Sequence, residues 1–284
     1  MKNIFKPFLI LAFSVAISEE LKLGSDIPMG DVKMVDISGK KVSLNEVKME
    51  NGLLVNFSCN TCPWVIAWQD RYNQLSDLSL ANNIGFITIN PNSRNREKIG
   101  EGLDDMKEFS KKYDHDFLYT VDKDSEIARA FGATSTPHIY LFNSDGKLVY
   151  RGAIDDNARR PNKVKKTYLV DAIKAVGSDK KIKISETKAL GCSIKFAKKV
   201  EVKIEKQQDS IIISISDDGP GIPQEEYENI TKPFYKIDKS RSEKKSSVGL
   251  GLSIASDIVK SHGGDITFAK SKFGGLEVAI SLPF

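Results

Sequence analysis

Two cysteines with two residues between them, Cys59-Asn60-Thr61-Cys62, stand just behind the apolar run Leu53-Leu54-Val55-Asn56-Phe57. That run is long enough for a buried strand and too short for a helix. Behind the cysteines, Val65, Trp68, Tyr72 and Leu75 recur at helical spacing. The dithiol therefore belongs at a strand-to-helix turn, where sulfurs three residues apart can close a small ring with little backbone motion. The positive end of the helix favours a thiolate on Cys59, whose N-terminal position is expected to be the more exposed. Pro63 is tolerated because first-turn N–H groups have no helical partner. Cys59 is then the expected attacking nucleophile, and Cys62 the thiol that releases the mixed disulfide. A zinc site uses the same spacing, but no second Cys or His pair supplies the other two ligands.

The neighbouring segments alternate between strand and helix. A hairpin is expected from Asp31 to Leu44 around Ser38-Gly39, and a second buried strand from Ile84 to Ile89. Leu103 to Tyr113 reads as a charged helix, and Ser125 to Phe131 as a short one closed by Gly132. Ile139 to Phe142 and Leu148 to Tyr150 are strands joined across Asp145-Gly146, a hairpin signal. Val164 to Val176 is a last amphipathic helix. This order predicts an α/β domain with a mixed central sheet.

Thr136-Pro137-His138, just ahead of a strand, decides which α/β domain. With FSCNTCPWVIAWQDRY and FGATSTPHIYLFNSDGKLVYRGAIDDN, it resembles the thioredoxin family, in its exported redoxin-type branch, over about residues 25–196. The resemblance implies a thioredoxin-like fold, thiol–disulfide exchange with a protein partner, and a cis Pro137 beside the dithiol whose backbone pairs with bound peptide. No cofactor is required. The family's usual Trp-Cys-Gly-Pro-Cys is replaced, with Asn60-Thr61 between the cysteines. A peroxiredoxin would need Thr three residues before its reactive Cys, and Asn56 holds that place relative to Cys59. His138 either tunes the site or is an ordinary core or surface histidine, and Trp64 and Trp68 read as packing residues. Cys192, in Gly-Cys-Ser-Ile-Lys, resembles the tail of redoxin-type proteins and reads as an unreactive small residue.

Beyond the lysine-rich stretch at Lys180–Lys183 the pattern changes. Val200 to Ile204 and Ile211 to Ser216 look like strands, Gly249 to His262 like a helix, and Ile266 to Ala269 and Leu276 to Leu282 like closing strands. Asp217-Asp218-Gly219-Pro220-Gly221, Lys232-Pro233-Phe234-Tyr235, Gly249-Leu250-Gly251-Leu252-Ser253 and Ser261-His262-Gly263-Gly264 follow in order. Together they resemble the ATP-binding domain of sensor histidine kinases, truncated to residues 197–284, an incomplete α/β sandwich. The resemblance implies ATP as ligand. Asp217 would accept from the adenine amine, and Gly219 and Gly221 would let backbone approach the base. Gly249 and Gly251 would open a helix toward the phosphates, and Lys236, Lys239 and Arg241 would lie in a lid above them.

The family's magnesium-binding asparagine falls on Cys192, a poor ligand for a hard cation. The phospho-accepting histidine and dimerising helices have no counterpart, since His115, His138 and His262 fall in other contexts. Autophosphorylation is not expected, and the junction reads as a fusion of two reading frames. With the preceding helix gone, an under-packed apolar face is expected near Val200–Ile213.

Residues 1–18 carry Lys2 and Lys6, an apolar run from Phe8 to Ile17, then Ala16 and Ser18 at signal-peptidase spacing. This predicts an exported, periplasmic protein with no membrane span in the mature chain. Among 284 residues, 42 Lys and Arg against 38 Asp and Glu leave a charge of only +4, which argues against a nucleic-acid partner. Three cysteines are too few for a disulfide scaffold. Two functions follow: a thiol–disulfide oxidoreductase with an ATP-binding-like appendage, or a histidine-kinase-type ATP-binding signalling protein with a redox-sensing N-terminal domain.

Overall fold

Residues apolar on both faces of their strands decide the architecture of the first half of the chain. The computed structural model describes residues 20–97, 100–219, 221–235 and 250–284. They divide into two compact units, 20–197 and 198–284. The expected leader, residues 1–18, lies outside the described residues.

In the first unit, β1 (Met34–Asp36) and β2 (Lys41–Val42) form the expected hairpin. They lead into α1 (Leu44–Val47), where the Ser43 N–H donates to the Glu46 carboxylate at 3.0 Å and caps the helix. β3 (Gly52–Phe57) is buried at every position. The single helix expected after it is two, α2 (Pro63–Ala67) and α3 (Gln69–Ala81), with Trp68 ending one and starting the other. β4 (Ile84–Asn90), α4 (Leu103–Lys112) and β5 (Leu118–Val121) follow. α5 (Glu126–Phe131) ends at Gly132, whose φ of +63° is the left-handed cap that glycine accepts without strain. β6 (Ser135–Thr136), β7 (His138–Asn143) and β8 (Leu148–Gly152) come next. α6 (Tyr168–Gly177) starts four residues later than expected, because Pro161–Lys163 makes a separate 3-10 turn. β9 (Cys192–Ser193) is the last strand of the unit.

The strands run β2-β1-β5-β4 and β3-β7-β8, with β4 and β5 parallel and the other pairs antiparallel. The halves meet where β3 lies beside β4, the Ser58 N–H donating to Ile89 O at 2.8 Å. Alternation along β3 sends Leu54 into one core, and Leu53, Val55 and Phe57 into the other. Trp68, Tyr72, Leu75 and Ile173 cover the first face from α3, its preceding turn and α6. Phe57, Phe131, Tyr140 and Phe142 fill the second with edge-to-face rings 5.1 to 5.8 Å apart. A mixed sheet covered on both faces, with the dithiol at the end of a central strand, is a thioredoxin-like fold.

The second unit comprises β10 (Val200–Lys206), β11 (Ser210–Asp217), α7 (Gly251–Ser261), β12 (Asp265–Lys270) and β13 (Leu276–Pro283). Its antiparallel sheet runs β10-β11-β13-β12. The register places Ile204, Ile213, Ile280 and Ile266 in one row across all four strands. α7 contacts β12 and β13, leaving β10 at the far end of the apolar face. Val200, Val202 and Ile204 are accordingly 62%, 58% and 70% exposed, which meets the expectation of an under-packed face. On β11, Ile211 to Ile213 are half-buried.

Candidate active site

The end of β3, the start of α2 and the turn between β6 and β7 converge on the dithiol. Cys59 Sγ lies 3.1 Å from the Thr136 hydroxyl, and Cys62 Sγ lies 3.2 Å from Thr136 O, to which the protonated thiol donates. The Thr136–Pro137 peptide bond is cis, as expected. Cys59, Cys62 and Pro137 are therefore brought together, with both sulfurs as free thiols.

Two details expected of the sulfurs differ in the structure. Helix α2 begins at Pro63, so the residue at its positive end is Cys62, not Cys59. Nor is Cys59 the more exposed, at 1% against 4% for Cys62. The neighbouring Cys59 thiol, then Cys192 and the backbone of Val65, lower the Cys62 thiol to about 5, against the opposing effect of burial. Cys59 is held well above the ordinary thiol range by its donation to Cys62, by burial, and by the negative charge of Glu101.

Glu101 was not legible as part of this site. Its fully buried carboxylate accepts from the N–H of Asn60 at 3.0 Å and of Thr61 at 3.1 Å, the two residues between the cysteines. The Thr61 hydroxyl donates to it at 2.5 Å and Asn90 Nδ2 at 2.8 Å. Asn60 is further fixed by donation to Gly100 O at 2.9 Å and by acceptance from Tyr119 OH at 2.8 Å. The only local signal was a lone acid between two glycines, Gly100 and Gly102.

In the second unit, Asp217 ends β11, and its Oδ1 accepts from the N–H of Gly219 at 2.7 Å and of Leu276 at 3.2 Å. Gly221, at φ +70°, borders an open hollow of about 650 Å³ shared with Tyr227, Phe268 and Gly275. Gly251 is the first residue of α7. Lys236, Lys239, Arg241 and Gly249 lie outside the described residues.

Residues 22–169 match the family profile described as Redoxin. The chain is a member of the redoxin family. Residues 179–284 match a second profile, described as histidine kinase-, DNA gyrase B-, and HSP90-like ATPase. The sensor histidine kinase CpxA of Escherichia coli (strain K12) is 39% identical over 85 residues, 30% of this chain and 19% of its own length. The sensor histidine kinase WalK of Bacillus subtilis (strain 168) is 35% identical over 83 residues, 29% of this chain and 14% of its own. The chain thus spans less than a fifth of the curated relatives it matches. Among solved structures, the hypothetical protein SMc02350 from Sinorhizobium meliloti 1021 is 27% identical with a TM-score of 0.56. That alignment covers 63% of this chain and 97% of the other. An uncharacterized conserved protein from Geobacillus kaustophilus is 29% identical with a TM-score of 0.57, covering 62% and 92%.

The remaining candidates of the redoxin domain find separate places. His138 is buried and bonds Glu20 Oε1 through Nε2 at 2.8 Å, rather than either sulfur. Trp68 is fully buried and donates from Nε1 to Asp155 Oδ1 at 3.1 Å, while Trp64 is half-buried under the Arg159 guanidinium. Cys192 is half-buried. It lies in β9, paired with Thr136 of β6, inside the redoxin unit.

Proposed function

We infer that the protein is a thiol–disulfide oxidoreductase acting through the Cys59–Cys62 dithiol. The observation that carries this is the convergence of two free thiols on Thr136, beside the cis Thr136–Pro137 bond. The thiolate of one cysteine displaces one sulfur of a partner disulfide, forming a mixed disulfide and releasing a thiolate. The other cysteine gives up its proton and attacks the first, closing the Cys59–Cys62 bond as the second partner sulfur leaves. Two electrons pass from the dithiol to the partner, and the reverse sequence oxidises a partner dithiol. Pro137, buried beside the sulfurs, has no N–H to compete for them. Membership of the redoxin family supports this chemistry, and residues 1–18 support a site of action outside the cytoplasm. Among the described residues, no helix is long and apolar enough to cross a membrane.

The test is reduction of insulin disulfides by the full chain. Of Cys59→Ser and Cys62→Ser, the variant that loses the attacking sulfur abolishes exchange, and the other arrests it at a mixed disulfide. Exchange at the wild-type rate in either variant overturns the assignment.

The second unit supports a narrower reading, adenine-nucleotide binding without phosphoryl transfer. Asp217 is fixed at the strand end with Gly219 and Gly221 behind it, which fits a base. The magnesium set does not fit, because Cys192 at the expected ligand position is engaged in the redoxin unit. Titration with ATP is expected to show weak binding that Mg²⁺ leaves unchanged; tight, Mg²⁺-dependent binding overturns it.

A further inference from the structure

Strand β10 ends the sheet of the second unit, and its sequence repeats with a period of two. Lys199, Glu201, Lys203 and Glu205 alternate in charge along one face, and Val200, Val202 and Ile204 lie along the other. The pairing with β11 fixes which backbone groups are already used. The Asp218 N–H donates to Lys199 O at 3.1 Å and the Gln207 N–H to Ser210 O at 2.8 Å, so the odd-numbered residues of β10 bond to β11. The N–H and C=O groups of Val200, Val202 and Ile204 therefore point away from the sheet. Among the described residues, β10 pairs with no strand besides β11. The side chains of the same three residues are exposed.

An open edge is ordinarily blunted by lysine or proline, which discourage a further strand. Here each lysine has a glutamate two residues away, and the pattern is complementary to itself. When β10 runs antiparallel to the β10 of a second copy, centred on Val202, Glu201 faces the other copy's Lys203, and Lys199 faces its Glu205. Twofold symmetry repeats both pairs. They fall at the closely spaced, non-hydrogen-bonded positions, where opposite charges across strands attract most. Val202 then exchanges backbone bonds with its own copy, and Val200 with Ile204 on either side, about six bonds in all. Only Lys198 and Lys206 meet as like charges, at the ends, and Lys206 Nζ is turned to the Phe284 ring, 5.0 Å from its centre. Centring the pair on Lys203 instead sets that lysine against itself and Glu201 against Glu205. Charge thus selects one register. Glu201 is already oriented by Lys272 of its own chain and lies 3.8 Å from its own Lys203.

We propose that a second copy of this chain is the partner of the β10 edge, the two strands pairing antiparallel about Val202. Two four-stranded sheets become one of eight, and their apolar faces become continuous. The contact uses the same residues from both copies and closes at two, so it does not propagate into a fibre. A single strand edge from each copy is a small interface, and the dimer is therefore reversible.

Sedimentation equilibrium of the full chain, over about a hundredfold range of concentration, is expected to show monomer and dimer in exchange. Val202→Pro removes the central outward N–H without touching a bond to β11, and is expected to weaken the dimer about tenfold or more. Lys203→Glu puts like charges at both central pairs and is expected to weaken it about tenfold. Glu201→Lys/Lys203→Glu exchanges the two charges and should restore association, which no loss of folding could do. A chain that stays monomeric throughout overturns the proposal. So does a dimer that Val202→Pro and Lys203→Glu leave unchanged, since it would join the apolar faces or the redoxin units instead. Failure of the exchanged pair to recover what Lys203→Glu loses overturns the register about Val202.

Discussion

Thr61 binds the Glu101 carboxylate twice, through its backbone N–H at 3.1 Å and its hydroxyl at 2.5 Å. That pairing fixes the dipeptide between the cysteines and keeps a negative charge beside Cys59. Glu101→Gln removes the charge and preserves most of the shape. The alkylation midpoint of Cys59 is expected to move to lower pH, and folding stability to fall by about 1–3 kcal/mol as donors lose their partner. An unmoved midpoint would show that Glu101 acts on structure alone.

Cys59→Ala tests the opposite half of the pair. The Cys59 thiol is the largest contributor to the lowering of Cys62, whose pKa lies near 5. Without that donor, the pH midpoint for iodoacetamide reaction at Cys62 rises. A midpoint still near 5 would place the anion's support in the helix start and Cys192 alone.

Asp155 is the partner on which a buried arginine depends. Its Oδ2 lies 2.8 Å from Arg71 Nε, with both side chains largely buried, and its Oδ1 accepts from Trp68 Nε1. Asp155→Ala leaves that cation with only the half-exposed Asp70 carboxylate at 3.1 Å, an expected loss of about 3 kcal/mol in urea unfolding. Asp104→Ala, which breaks an exposed pair with Lys107, should leave the urea midpoint where it is.

His115 gives the redoxin unit a pH dependence. Burial lowers its pKa from 6.5 to about 4, while Phe117 stacks 4.5 Å away and Gln69 bonds Nε2. Unfolded chains take up this proton first as pH falls. The neutral ring's contribution is therefore complete above pH 6.5 and is lost as pH drops through 4. After solvent screening the loss is about 1–2 kcal/mol. His115→Phe should remove it; Asp122, raised by burial to about 6, acts in the opposite sense in both proteins and cancels in the difference. Parallel stability curves for the two proteins from pH 7 to pH 4 would refute this account.

The uncovered edge of the second unit should tolerate polarity. Val202→Thr/Ile204→Thr keeps β-branching and removes apolar atoms that touch mostly water. Stability is expected to change by no more than about 0.5 kcal/mol, with slower aggregation in light scattering. A large loss of stability would mean that β10 is covered in solution.

Most elements were legible because their signals are local. β3 and β4 announced themselves as apolar runs, β7 and β8 by the Asp145-Gly146 turn between them, and the dithiol by its own spacing. The strands of the second sheet were legible from simple alternation, and its bare face from the missing helix. What the sequence hid lies far along the chain from what it touches. Glu101 reaches Asn60 and Thr61 across 41 and 40 positions, and β9 meets β6 from the other end of the redoxin unit. Local propensity does not carry such pairings. The start of the helix was misplaced by a smaller margin: α2 begins at Pro63, so its positive end falls on the second sulfur. The break at Trp68 carried no Gly or Pro to mark it.

Both sulfurs of the dithiol are almost sealed from water, Cys59 at 1% and Cys62 at 4% exposure. A partner can collide with such a centre many times without reacting. Turnover then has a ceiling set by how often the covering chain parts, and adding more partner beyond that point changes nothing.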